Sequence, residues 1–241
     1  MKGIVLAGGN GTRLMPLTKV TNKHLLPVYD RPMIHFPIGT LLACGIRQIL
    51  IVTGSEHMGD FMSLLGSGKE FGASFTYRAQ DGAGGIAEAL SLAEDFVGKE
   101  KFAVILGDNV FTGNLSDEVK KFECSEANAK LFLKQAEHPE RFGVAEIADG
   151  RVVSIVEKPA APKSGFAVTG FYLYDGSTVF GIIKSLKPSE RNELEITDVN
   201  NEYLRRGELD YAILDGEWSD AGTIESLYHA SGIARKGRVE K

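Results

Sequence analysis

Lys2-Gly3-Ile4-Val5-Leu6-Ala7-Gly8-Gly9-Asn10-Gly11-Thr12-Arg13-Leu14 opens the chain and carries its most informative local pattern. Ile4 to Leu6 is a short β-branched apolar run that ends on glycines, as a buried strand does where it opens into a loop. The chain therefore starts inside a sheet. Glycines let backbone N–H groups approach an anion without a Cβ in the way, and Arg13 adds a planar, permanently charged fork, so the turn reads as a phosphate-binding loop. Glycine-rich loops after strands are common, and two well-known versions do not fit. A Walker A loop needs Gly-Lys-Ser/Thr where the chain has Gly11-Thr12-Arg13, and the dinucleotide fingerprint needs a third glycine where Leu14 stands.

Outward from this strand the pattern alternates. A helical stretch over 33–44 ends before Gly45, and the following segments read as strand 48–52, helix 58–65, strand 74–77, helix 86–96 and strand 102–106. Strands separated by helices of this length imply right-handed crossovers and a mainly parallel sheet covered on both faces, an α/β fold whose ligands bind beyond the strands' carboxyl ends. After a helix at 115–122 the texture changes to strands at 129–135, 143–147, 152–157 and 166–173 with short turns, the mark of an antiparallel insertion. Helices at 178–185 and 198–206 follow, the second with Thr197 as candidate N-cap and Gly207 as its C-terminal glycine.

The 241 residues show no repeat or flexible linker and are expected to form one domain over 1–241. With 43% hydrophobic and 24% charged residues the chain can bury a sizeable core, and its net charge of -5 argues against a general nucleic-acid binder. A small anion needs only a few local cations, backbone N–H groups or a metal. The two cysteines, Cys44 and Cys124, do not make a disulfide framework, and the first apolar run is too short for a signal peptide or a membrane span, so a cytoplasmic protein without a membrane partner is expected.

Three further places carry chemistry. Leu106-Gly107-Asp108-Asn109 sets a carboxylate at the end of a buried-looking strand, where an α/β sheet offers a metal ligand to a nucleotide; the alternative is an Asp that only turns the chain. Trp218-Ser219-Asp220-Ala221-Gly222-Thr223 supplies a second carboxylate, unless Asp220 or Thr223 merely caps the helix starting near Ile224. Glu157-Lys158-Pro159 offers an acceptor for sugar hydroxyls beside a cation for a phosphate, or else an exposed ion pair of little consequence. Lys23 stands before a proline-marked turn and gains interest only from the loop beside it. The five histidines lack zinc-site spacing.

In order, Leu6 to Leu14, Lys23-His24-Leu25-Leu26-Pro27-Val28, Leu106 to Asn109, Pro139-Glu140-Arg141-Phe142-Gly143-Val144, Glu157-Lys158-Pro159, Ala167-Val168-Thr169-Gly170, Glu193-Leu194-Glu195-Ile196-Thr197-Asp198 and Trp218 to Thr223 resemble the glucose-1-phosphate thymidylyltransferase family, within the wider sugar-nucleotide pyrophosphorylases. The resemblance covers nearly the whole chain. It implies a Rossmann-like three-layer α/β/α nucleotidyltransferase fold, with a mixed, mainly parallel sheet and a smaller antiparallel insertion on the sugar side. It implies a nucleotide set of Leu6, Gly8, Gly9, Gly11, Thr12, Arg13, Lys23, Gln80, Gly85 and Asp108, in which Gln80 and Gly85 meet the pyrimidine base and Arg13 and Lys23 the phosphates. Asn109, Gly143, Glu157, Lys158, Val168 and Trp218 would form the sugar site, Lys158 taking the sugar phosphate. Asp108 and Asp220 would hold Mg²⁺, and Arg13, Lys23, Asp108 and Lys158 would carry catalysis.

The implied partners are dTTP, or UTP, and glucose 1-phosphate, with dTDP-glucose and pyrophosphate as products; a homo-oligomer stays open. The chain departs from the family in Gln80-Asp81-Gly82-Ala83-Gly84-Gly85, which has no proline, and in ending shortly after the helix over 223–235, so an effector pocket made of further C-terminal helices is not expected. The competing readings are another sugar-1-phosphate nucleotidyltransferase and a catalytically silent sugar-nucleotide-binding subunit on the same fold. An NAD-dependent oxidoreductase is remote, because the dinucleotide pattern fails.

Overall fold

The computed structural model describes residues 1–9, 11–82 and 84–239; Asn10 of the glycine turn and Ala83 of the stretch after Gln80 lie outside the described residues, as do residues 240 and 241. The chain begins with β1 (Lys2–Ala7), passes through a ribbon of β2 (Pro27–Val28) and β3 (Arg31–Pro32), and enters α1 (His35–Ala43). Next come β4 (Gln48–Gly54), α2 (Met58–Leu65), β5 (Ser74–Gln80), α3 (Ile86–Ser91), α4 (Glu94–Val97) and β6 (Lys101–Leu106). β7 (Val110–Phe111) and α5 (Ser116–Cys124) lead to β8 (Ala129–Gln135), β9 (Gly143–Ala148), β10 (Arg151–Glu157) and β11 (Phe166–Asp175). After them stand α6 (Val179–Ser185), α7 (Ile196–Arg206), β12 (Leu209–Ile213), β13 (Trp218–Ser219) and α8 (Ile224–Val239).

One sheet runs in the order β10-β9-β11-β6-β1-β4-β5, with β8 joined to β11 and β12 joined to β8. Its centre is parallel, β6, β1, β4 and β5 running together. β11 pairs antiparallel to β6, so the expected antiparallel segment continues this sheet rather than standing apart from it.

Period-2 alternation sorts the strand residues into two cores. Ile4, Leu6, Leu50, Val52 and Val104 are buried on one face beneath α3, α6 and α7, together with Leu90, Ile183 and Tyr203. Val5, Ala7, Ile49, Ile51 and Ile105 are buried on the other beneath α1, α2 and α5, with Leu41, Phe61 and Phe122. Each of the Val, Leu, Ile and Phe side chains stabilises the fold by about 1.5–3 kcal/mol, which is why β-branched runs without polar relief belong in the middle layer. Gly3 lets α1 come down onto β1, since a Cβ there would stand 2.9 Å from both Leu41 and Ile46. A smaller third core, including Leu14, Val28, Met33, Ala230 and Ile233, fastens α8 over the ribbon side.

Two expectations change in detail. The helix read over 86–96 is broken into α3 and α4. Helix α7 starts at Ile196, two residues before the expected start, and no side chain caps it; Thr197 lies inside the helix with its hydroxyl donating to Glu157. Its other end is as read, with Gly207 left-handed at φ 71°. No helix among the described residues is long and apolar enough to cross a membrane.

Candidate active site

From β1 the chain steps to β4 and β5 on one side and then returns to β6 on the other, and this reversal opens a crevice at the carboxyl ends of β1 and β6. A cleft of about 370 Å³ lies there and runs toward β9, β10 and β11. Every residue assigned to the site from sequence lines it except Gly11 and Thr12. Gly11 takes a left-handed φ of 65° and leans on Lys23 and Thr18, and Thr12 is exposed where a 3₁₀ turn begins.

The glycines of the first turn make room for neighbours. A Cβ on Gly8 would collide with Gln80 Oε1, and one on Gly9 would stand 3.3 Å from the Lys23 stem. Lys23 thus lies along the turn, and its ammonium donates to Asp108 Oδ2 at 2.5 Å. Gly107, one residue earlier, donates to the Leu6 carbonyl, which ties β6 to β1 at the crevice.

Asp108 accepts a second bond, from Asn109 Nδ2 at 2.8 Å. Burial pushes its pKa up, but Lys23, His24 and Asn109 pull it down further, and it ends below the ordinary carboxylate value. His24 sits beneath the site within 2.7 Å of Asn22 Oδ1; burial, then Lys23, lower its pKa to about 3, so it is neutral under working conditions.

Strand pairing brings the second carboxylate across more than a hundred residues. β7 follows Asp108-Asn109 directly and β13 directly precedes Asp220, and the antiparallel match of Ser219 to Val110 sets the two acids side by side. Helix capping falls to Thr223, whose hydroxyl accepts from the Ser226 N–H, so Asp220 faces the cleft instead. Burial and then Asp108 raise the pKa of Asp220, while Arg141 bonds it at 3.1 Å. Arg13 lies on the same side: a Cβ on Gly222 would meet its guanidinium and Asp220 Oδ2 at 3.2 Å each.

Asn109 is a hub. Its carbonyl accepts from the Gly170 N–H at 2.9 Å and from the Trp218 indole at 2.7 Å. Gly170 falls in the register shift of β11 between Val168 and Tyr172, where a bulge frees its N–H from the ladder. Glu157 ends β10 and accepts from Thr197 Oγ1 at 2.5 Å, with Lys158 at 3.2 Å and Arg191 at 3.4 Å. Gly143 faces this group, since a Cβ on it would stand 3.2 Å from the Thr197 hydroxyl and 3.4 Å from Glu157. Lys158 holds a left-handed φ of 42°, a conformation that costs a non-glycine residue roughly 1 kcal/mol or more and is common at ligand sites.

Arg141, Arg191, Thr197 and Tyr172 line the cleft without having been assigned to it from sequence. Arg141 lay inside a motif singled out above, and Arg191 stands two residues ahead of another. A lone arginine in a turn has no periodicity that would mark its direction.

The donor set suits a hard cation. Asp108 and Asp220 offer carboxylate oxygens close enough for Asp108 to raise the pKa of Asp220, and each already draws a side-chain cation. No group of three or more His, Cys, Asp or Glu suited to a metal occurs among the described residues, so a cation here would take its other ligands from phosphate and water, as Mg²⁺ readily does.

Fold and cleft together define a three-layer α/β protein with a glycine turn, five cationic side chains and paired carboxylates at its switch point. Residues 2–236 match the nucleotidyl transferase family model. The glucose-1-phosphate thymidylyltransferase of Neisseria meningitidis serogroup A is 46% identical over 98% of this chain and 83% of its own length. A crystal structure from Bacillus anthracis, provisionally described as a glucose-1-phosphate thymidylyltransferase and containing a sucrose, superposes with a TM-score of 0.94 at 57% identity, covering 98% of this chain and 95% of that one. A UDP-glucose pyrophosphorylase complexed with UDP-glucose superposes with a TM-score of 0.82 at 27% identity over 98% of both chains. The chain belongs to the nucleotidyl transferase family.

Proposed function

We propose that this chain joins the thymidylyl group of dTTP to glucose 1-phosphate, giving dTDP-glucose and pyrophosphate, with Mg²⁺. The observation that carries the reading is the pair Asp108 and Asp220, set side by side at the switch point beside Arg13, Lys23 and Arg141, in a chain whose relatives bear that activity in their names over nearly its whole length. One domain over 1–241 belongs to the same reading, supported by a single sheet that takes strands from residue 2 to residue 213.

In the reaction a phosphate oxygen of the sugar 1-phosphate attacks the α-phosphorus of the nucleotide in line, the bond from that phosphorus to its bridging oxygen breaks, and pyrophosphate leaves. The nucleophile is already an anion, so no general base is required, and the neutral, buried His24 agrees with this. What the protein must supply is position and positive charge. Arg13 and Lys23 face the nucleotide phosphates; Lys158 and Arg191 face the sugar phosphate; Glu157, Gly143, Val168 and Thr197 line the hexose site; Gln80 and Gly85 face the base. Mg²⁺ held by Asp108 and Asp220 would neutralise charge on the transferred phosphate.

The test is a Mg²⁺ titration of turnover in wild type, Asp108→Asn and Asp220→Asn. Loss of either carboxylate is expected to cut turnover by about two orders of magnitude at low Mg²⁺ while the chain still folds, the scale of removing a group that stabilises transition-state charge. Near-normal turnover in either variant at low Mg²⁺ would sink the metal assignment.

A further inference from the structure

Gln80 ends β5 with 6% of its surface exposed, at the end of the cleft proposed for the base. Its amide nitrogen carries two N–H groups, and both face acceptors of the protein. Nε2 donates to the Glu88 carboxylate and, at 3.4 Å, to the Gly85 carbonyl. Two acceptors on one side decide which end of the carboxamide is which, because the carbonyl end would be repelled by both. The oxygen therefore turns to the glycine turn, close enough to Gly8 that a Cβ there would collide with it. Glu88 lies in the first turn of α3, half-buried behind Gln80, and does not line the cleft.

We infer that Glu88 positions Gln80 for base selection: it locks the carboxamide with its carbonyl toward the nucleotide, so the site reads a donor at pyrimidine N3. The inference rests on the proposed nucleotide assignment and names the part of that site that chooses the base. Thymine and uracil carry N3–H and can donate to a fixed carbonyl. Cytosine has a lone pair at N3, which that carbonyl repels, and only a flipped Gln80 could offer it an N–H. Glu88 prevents the flip because an ionised carboxylate accepts and cannot donate. Gln80 thus presents an acceptor rather than the donor and acceptor together that its side chain could offer if unconstrained.

The experiment compares kcat/KM for dTTP, UTP and CTP in wild type, Glu88→Ala, Glu88→Gln, Gln80→Ala and the double variant. With the acceptor removed in Glu88→Ala, the preference for dTTP over CTP is expected to fall about tenfold, the value of one hydrogen bond. Glu88→Gln, whose amide can also turn its NH₂ to a flipped Gln80 carbonyl, is expected to lower the preference as well, because it accepts and donates alike. In the Gln80→Ala background, Glu88→Ala is expected to change the ratio no further, because both act through one amide. A melting curve for each variant separates a folding defect, which lowers use of every nucleotide together, from loss of the lock, which moves the ratio. An unmoved ratio in Glu88→Ala, or an equal fall with Gln80 already removed, overturns the role of Glu88 and leaves the nucleotide assignment standing. A wild type that does not prefer dTTP to CTP overturns both.

Discussion

His24 illustrates at the residue scale how the site depends on its support. Its ring lies under Gly107, where a Cβ would come within 2.6 Å of it, and burial keeps it neutral. Because its folded pKa of about 3 lies below the ordinary 6.5, the unfolded chain takes up a proton that the folded chain refuses as pH falls through that window. The stability it contributes is present above about pH 6.5 and is lost progressively toward pH 3, amounting to roughly 2 kcal/mol by pH 5. Urea unfolding at pH 7 and pH 5 should show this loss in wild type and a smaller one in His24→Gln; equal losses in the two proteins would contradict it. Asp108 could be placed at the cleft from its strand end, whereas Lys23, ahead of a proline-marked turn, drew interest only from the glycine loop and the resemblance. Arg141 could not be placed, since the bond that matters is to Asp220, 79 residues away.

Elements meet at Asn109. Its carbonyl receives the Gly170 N–H of β11 and the Trp218 indole of β13, so one side chain joins the main sheet to the ribbon that carries Asp220. Asn109→Ala leaves both donors without their acceptor, at a cost of about 2 kcal/mol, and for a chain of this length the melting temperature should drop by about 4–8 °C. An unchanged melting curve would mean that water replaces the hub.

Gly85 makes a second junction. It adopts φ 96°, and a Cβ would stand 2.6 Å from the Leu194 carbonyl, while Leu194 donates to Gly84 and accepts from Ala87. Gly85→Ala should therefore part the base side of the cleft from the segment before α7, raising KM for the nucleotide at least severalfold as the loop loses its seat; nucleotide affinity measured calorimetrically would expose an unaffected site. The parallel core was readable because runs such as Ile49 to Val52 have no polar face. β12 was not: its first four residues are half-buried, Ile213 is exposed, and Asp210 near its start meets Lys130 of β8. The two-residue strand β7 was silent, and nothing in the sequence pointed to its pairing with β13, which decides where Asp220 stands.

At the scale of the whole molecule, a net charge of -5 coexists with a cleft that gathers Arg13, Lys23, Arg141, Lys158 and Arg191. Capture of two anionic substrates thus depends on a local field and not on overall charge. Raising KCl toward 0.5 M should increase KM for both substrates with less change in kcat, since exposed cations are screened at that ionic strength while the partly buried Lys23–Asp108 pair is screened less. A salt-independent KM would locate binding in uncharged contacts. Transfer to a sugar phosphate is tested by following both products when the protein is given dTTP, glucose 1-phosphate and Mg²⁺. dTDP-glucose and pyrophosphate are expected in equal amounts, with neither formed when the sugar phosphate is omitted. Pyrophosphate released without the sugar phosphate, or no dTDP-glucose with every component present, would contradict that transfer.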